Sequence, residues 1–280
     1  MGRAMRDALI VSVLSILPRN RAARLMGWFA RSGLSGLLTR AFVRVYGVDL
    51  AEAEHGLDAY PTLSALFTRR LKPGARPVHE GDGAMVSPAD GAVAWVGTTE
   101  GGVLQIAPGR PLSVQALLGE EVQGERDVLV VYLSPKDYHR VHQPVEGTLR
   151  RWRYLPGTLW PVFPAAVRRI TGLFAQNERA WVQVDTPVGT QQVVLVGAFG
   201  VGRIELGCCD LLTNTGGAAA GGDVSLTQTR GAELGIFHLG STVVVLNAPG
   251  TWRWGVAAGD SVRMGQRVAV RAGAQADGEA

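Results

Sequence analysis

Cysteine is nearly missing from this chain. Of 280 residues only two are Cys, and they are neighbours, Cys208 and Cys209. Adjacent cysteines seldom pair, so no disulfide framework is available and a reducing compartment is favoured. The five histidines show no ligand spacing around that pair, so no metal centre is expected. Charge is sparse as well, at 19% of residues, with a net value of +4. Lys and Arg are not spread over a folded face with aromatics between them, which argues against a nucleic-acid-binding domain. Long apolar runs are lacking too. Leu9–Leu17, LIVSVLSIL, falls far short of the roughly 20 residues that span a bilayer. A signal peptide is disfavoured because PRNRAARL puts charge where a small-residue cleavage site should lie.

What is present divides the chain in two. Residues 1–50 hold eight arginines against Asp7 and Asp49, so the whole positive excess sits in this segment. Within it Leu25, Trp28, Phe29, Leu34, Leu37, Leu38, Ala41, Phe42 and Val45 recur three and four apart, with Arg24, Arg31, Arg40 and Arg44 largely between them. That is an amphipathic helical pattern, broken near RSGLSG by its glycines. Two roles fit it: helices packed on their own domain, or a helical arm lying in an anionic membrane interface.

After about residue 60 the pattern becomes β-rich, with GAVAWVG, VLVVYLS, VVLVGAFG and STVVVLNAP as short apolar runs. Trp181–Asp185 and Gln191–Val196, joined through TPVGT, read as a hairpin. The ending AAGDSVRMGQRVAVRAG resembles the hairpins of lipoyl and biotinyl carrier barrels, without their modified lysine. A helix is predicted over Leu159–Thr171, and residues 214–224 read as a surface loop. The fold class expected is α+β: a barrel- or sandwich-like β body, residues 61–280, behind an N-terminal helical arm, residues 1–60.

Three short pieces could carry chemistry. SPADG places Asp90 in a turn before a strand; DYHRVHQP offers His139 and His142 three apart after the run VLVVYL; and FHLGSTVVVL puts Gly240 and Ser241 at the mouth of a strand. Glycine weakens a strand there unless the backbone does something unusual. Carboxylate, imidazole and hydroxyl together are the parts that activate a serine oxygen. No G-x-S-x-G elbow surrounds Ser241, which counts against an α/β-hydrolase. Its nearest electrophile is the Gly240 carbonyl, so self-cleavage and attack on an external ester both stay open.

The pieces SPADG, DYHRVHQPVEG, LPGTLWPV, LFAQNER, GAFGVGRIE and FHLGSTVVVL, in that order from about Val86 onward, resemble the phosphatidylserine decarboxylase family of bacterial type. The resemblance implies that the chain cuts itself between Gly240 and Ser241 into residues 1–240 and 241–280. Ser241 Oγ attacks the Gly240 carbonyl to give an ester. Elimination then frees the Gly240 carboxylate and leaves dehydroalanine, and hydration with loss of ammonia gives a pyruvoyl group. Asp90, His142 and Ser241 match the family's triad, and His139 matches its proton donor. The pyruvoyl cofactor would form a Schiff base with the amine of phosphatidylserine and accept electrons as CO2 leaves, giving phosphatidylethanolamine. Arg179, in QNER, is a candidate for the lipid phosphate. The partners implied are the phospholipid, an anionic membrane surface, the chain's own two fragments and a homodimer of them; the place implied is the cytoplasmic side of the cell membrane, as a peripheral protein. Where bacterial members commonly continue Ser-Val-Asn after LPGTLW, this chain has Pro161-Val162-Phe163. Three other readings stand beside this one: a pyruvoyl decarboxylase of a soluble amino acid, a non-catalytic membrane-binding β-barrel, and a serine hydrolase using Asp90, His142 and Ser241.

Overall fold

A computed structural model describes residues 18–200, 202–238 and 240–273. The apolar stretch Leu9–Leu17 lies outside them. Two helices come first, α1 (Arg19–Arg31) and α2 (Gly36–Tyr46). The break predicted at RSGLSG is there: Ser32 is extended, and Gly33–Ser35 makes a single 3-10 turn. One-turn helices follow as α3 (Leu63–Phe67), α4 (Val114–Leu118), α5 (Pro164–Val167) and α6 (Leu173–Gln176).

Among the described residues sixteen strands make the body. In chain order they begin with β1 (Ala84–Val86), β2 (Gly91–Thr98), β3 (Val103–Ala107), β4 (Arg110–Ser113), β5 (Asp127–Leu133) and β6 (Arg140–His142). Then come β7 (Gly147–Leu155), β8 (Arg179–Thr186), β9 (Gly189–Gly197), β10 (Ile204–Leu206) and β11 (Ala220–Gln228). The last are β12 (Glu233–Phe237), β13 (Ser241–Asn247), β14 (Trp252–Trp254), β15 (Ser261–Val262) and β16 (Arg267–Arg271). Eight form one antiparallel sheet, in the order β11-β7-β8-β9-β13-β5-β2-β15. It is open at β11 and β15, so the body is layered and no closed barrel forms among the described residues. Two small sheets, β1-β16-β14 and β10-β12-β6, lie apart from the hairpin β3-β4.

The middle stretches of the central strands are continuous apolar runs because both faces of the large sheet are buried there. On one face Leu129, Val131, Val193, Leu195, Val243 and Val245 meet the small sheets through Val141, Ile204, Phe237 and Val268. On the other, Val128, Val130, Val194, Val196, Val244 and Leu246 meet α4 to α6 and the β3-β4 hairpin through Leu112, Leu117, Val162 and Phe174. A strand buried on both sides needs no polar alternation, which is why VLVVYL and VVVL read as unbroken runs. The predicted hairpin is β8-β9, where Thr186 faces Gly189 across a two-residue turn.

Three details differ from the sequence reading. The helix predicted over Leu159–Thr171 shrinks to α5. Trp160 and Phe163 each precede a proline, which drives the preceding residue away from helical backbone, and Phe163 is extended at ψ 154°. Residues 214–224 are a loop only up to 219, since β11 starts at Ala220 as an edge strand. Glycine permits that pairing: a Cβ on Gly222 would sit 3.2 Å from the Trp152 indole nitrogen. Finally, β15 and β16, on either side of Met264-Gly265, join different sheets instead of pairing as a carrier-type hairpin.

The arm packs with its small residues. Ala23, Gly27 and Ala30 are the buried positions of α1, while Leu25 (66%), Trp28 (62%) and, on α2, Leu37 (82%) and Val45 (76%) stand exposed. It is fixed to the body by Arg19 stacked 3.7 Å over the Trp160 ring, by Asn20 donating to the Gly157 carbonyl, and by Phe42 on Phe67.

Candidate active site

Ser241 opens β13, the strand held between β5 and β9, opposite Leu133 on one side and Gly197 on the other. Side chains alternate along a strand, so Ser241 shares a face with Val243 and Val245. It is fully buried, and its hydroxyl oxygen has no hydrogen-bond partner. A buried polar group without a partner is costly, and native proteins keep few of them. Just before it, Gly240 has φ +52°, the left-handed region that only glycine enters cheaply. A Cβ would meet nothing closer than 3.7 Å there, so the glycine answers to conformation and not to lack of room.

The two histidines sit beyond the end of β5, next to Ser241's end of β13. The intervening turn is closed by Asp137, whose Oδ2 accepts from the Ser134 backbone N–H and hydroxyl, each at 2.7 Å. His139 is completely buried, and its carbonyl accepts from the Phe237 N–H on the strand that leads to Gly240. Its Nδ1 lies 2.8 Å from the Asp137 carbonyl, an oxygen that can only accept, so Nδ1 carries the proton. Nε2 is left bare and buried, with the edge of Phe67 beside the ring. Burial pushes the His139 pKa down to about 4. His142, on β6, is held likewise at Nδ1 by the Gly231 carbonyl at 2.8 Å, while its Nε2 takes the Tyr138 phenol at 3.1 Å. Burial lowers its pKa as well.

Asp90 lies in the turn before β2, and both its oxygens are engaged. Arg76 Nε reaches them at 2.8 and 3.0 Å, and the Met264 N–H donates to Oδ1 at 2.8 Å. Arg76 also pairs with Glu52 at 2.8 Å, which in turn binds Arg263. The backbone brings Asp90 and His142 near one another, since the His142 N–H donates to the Pro88 carbonyl. Even so, no hydrogen bond joins Asp90 to His142, or either of them to Ser241. Of the expected triad the backbone brings Asp90 and His142 together, without wiring them to each other or to Ser241: Arg76 occupies the carboxylate and Tyr138 the imidazole. Neither partner was visible in the sequence as a site residue, although Tyr138 stands inside DYHRVH.

Arg179 is placed elsewhere. Its three donor nitrogens go to the backbone carbonyls of Leu117, Asn177 and Ala116, and burial brings its pKa down to about 10. The structure gives it the task of tying α4 to β8, not a free face toward a phosphate. Asn177 does similar work, bonding the Trp160 backbone and the Gly197 carbonyl. Beside Asp90 a cavity of about 400 Å³ is lined by Tyr132, Ser134, Lys136, Tyr138 and the segment 47–52 that follows α2.

An antiparallel sheet buried on both faces carries a buried, unpartnered serine behind a left-handed glycine, and two buried histidines stand beyond the end of its neighbouring strand. The comparisons with known proteins are more specific. The family model described as phosphatidylserine decarboxylase matches residues 63–270. The phosphatidylserine decarboxylase proenzyme of Anaeromyxobacter sp. (strain K) is 42% identical across 94% of this chain and 98% of its own length. The proenzymes of Halorhodospira halophila and Myxococcus xanthus are 46% and 37% identical, over 93% and 95% of this chain and 93% and 99% of their own lengths. The chain belongs to the phosphatidylserine decarboxylase family.

Proposed function

We propose that the chain is a proenzyme that cuts itself before Ser241 and then decarboxylates phosphatidylserine to phosphatidylethanolamine and CO2. The observation that carries this reading is the Gly240–Ser241 step: a hydroxyl with no partner, in the interior, next to a peptide bond held in a left-handed turn. Such a serine has the Gly240 carbonyl as its adjacent electrophile. A water-filled approach for an external ester is not favoured, because Ser241 has no exposed surface.

The residues divide the work. His142 is neutral, and its Nε2 takes the Ser241 proton once that nitrogen is released by Tyr138. Asp90, held by Arg76, stabilises the resulting imidazolium through space. The orphaned Ser241 oxygen and the left-handed Gly240 fit the formation of a pyruvoyl group at Ser241. That group, once formed, supplies the electron sink for loss of CO2. His139 starts neutral with Nε2 bare, so it first accepts a proton, from the substrate ammonium, and then returns it to the carbon that has lost CO2. The cavity lined by Asp90, Lys136 and Tyr138 offers a place for a polar headgroup. The arm, with arginines and exposed Leu25, Trp28, Leu37 and Val45, docks the enzyme on an anionic membrane as a peripheral protein. Among the described residues no helix is long and apolar enough to cross a membrane.

The test is a denaturing gel of the purified protein with intact-mass measurement of each band. Two chains, 1–240 and 241–280, the second starting with a pyruvoyl mass, are expected, and Ser241→Ala should give one intact chain. A folded wild-type protein that remains a single chain of 280 residues would sink the proposal.

A further inference from the structure

Among the described residues Tyr138 is the one side chain that hydrogen-bonds His142 Nε2, the nitrogen to which the self-cleavage reading assigns the serine proton. Its phenol lies 3.1 Å from His142 Nε2, and its ring stacks on the imidazole with centroids 5.6 Å apart and planes tilted by 29°. The other nitrogen, Nδ1, faces a carbonyl 2.8 Å away and so keeps its proton. Nε2 is therefore a lone pair, and the phenol donates to it. Both groups are buried. Meanwhile the Ser241 hydroxyl, the group that should hand its proton to this lone pair, has no partner.

We infer that Tyr138 is a positioning residue that acts as a brake on self-cleavage: it holds the His142 ring in its plane and tautomer, and it occupies Nε2 until the Ser241 hydroxyl displaces it. The inference rests on the self-cleavage reading above and adds its control. The charged groups around His142 have partners of their own, and the phenol is the group that sits on Nε2 itself. Arg140 on its own strand is neutralised by Glu233, which stands opposite His142 on β12, through contacts of 2.8 and 2.7 Å. Asp90, in the turn next to β6, is engaged by Arg76. His139 is fixed at Nδ1 by the Asp137 carbonyl. Burial raises the Tyr138 pKa to about 12, so the phenol stays protonated and remains a donor at any pH where the protein is used.

Tyr138→Phe keeps the stacked ring and removes only the donor. Releasing one hydrogen bond should speed self-cleavage by roughly three- to tenfold when it is timed from cell-free synthesis. It should also move the acid limb of the rate to higher pH, because a bond donated to the neutral ring had been disfavouring its protonation. Replacing Tyr138 by 3-fluorotyrosine, a stronger donor of almost the same shape, should do the opposite on both counts. A purely structural tyrosine would leave the limb unmoved. A Tyr138→Phe rate that is equal or slower, with an unshifted limb, overturns the brake, as does a fluorotyrosine protein that cuts as fast as wild type. In the Ser241→Ala background, nitrogen NMR of His142 should show the Nδ1–H tautomer, and adding Tyr138→Phe should move the Nε2 signal. An unmoved signal removes the contact itself. If wild type never cuts, the parent reading fails and the brake with it, whereas a wild type that cuts beside an indifferent Tyr138→Phe fails the brake alone.

Discussion

The helical arm and the central sheet use apolar residues in opposite ways. In the sheet every large aliphatic chain of β5, β9 and β13 points into one of two cores. In α1 the alanines and a glycine face the protein, and Leu25 and Trp28 face out. Exposed apolar side chains beside arginines are the surface that the proposed membrane docking would use. A helix that buries small residues also comes close to its support without needing large side chains to hold it. Aliphatic side chains thus stabilise the fold in one region and stand at the surface in the other.

The same substitution at two places breaks this comparison most directly. Leu246→Ala, in the core, should cost about 2–5 kcal/mol of stability, measured by urea unfolding in the uncut Ser241→Ala protein. Leu37→Ala, at 82% exposure, should stay within about 0.5 kcal/mol yet weaken binding to vesicles that contain anionic lipid. Equal losses of stability would mean that the arm belongs to the core after all.

Acid sharpens the contrast from the side of the body. His139 has its folded pKa lowered to about 4 from 6.5, so the unfolded chain binds the extra proton first. Stability is then fully present above about pH 6.5 and is lost as pH falls toward 4, by about 3 kcal/mol for this one group. His139→Gln should flatten that decline, whereas a change in the arm should not.

Ala23→Leu tests the small face of α1. At zero exposure an added isobutyl group should cost about 1–3 kcal/mol or lift α1 from the body. Trp28→Ser, on the opposite side of the same helix, should leave unfolding almost unchanged while reducing vesicle binding. The expected cost of Trp28→Ser is the smallest of this set, and its effect on membrane binding is the point.

Much of the body was legible because burial on both faces leaves long aliphatic runs and a tight hairpin leaves its turn residues in between. The Gly240–Ser241 step was legible for the same reason in reverse, as a polar interruption in a run that had no need of one. The orientation of the arm was not, since a three-and-four spacing fixes which residues share a face but not which face the body takes. Residues 159–171 misled because their apolar content outweighed two prolines whose effect falls on the residue before each. The wiring of the site was beyond reach for a different cause. Arg76 and Asp90 are 14 residues apart, Gly231 and His142 are 89 apart, and no periodicity connects them.

Because β13 begins at Ser241 and lies between β5 and β9, a cut before Ser241 would separate the covalent chain at the mouth of its innermost strand. The 40-residue remainder would be woven in: β13 into the large sheet, β15 against β2, β16 against β1, with the Met264 N–H on Asp90. Since the weave is complete before the cut, the two pieces never have to find each other in solution, and no loss of translational freedom opposes their union. They would behave as one body under dilution and part only on unfolding. Once parted, the short piece would face an assembly problem that the intact chain never had to solve.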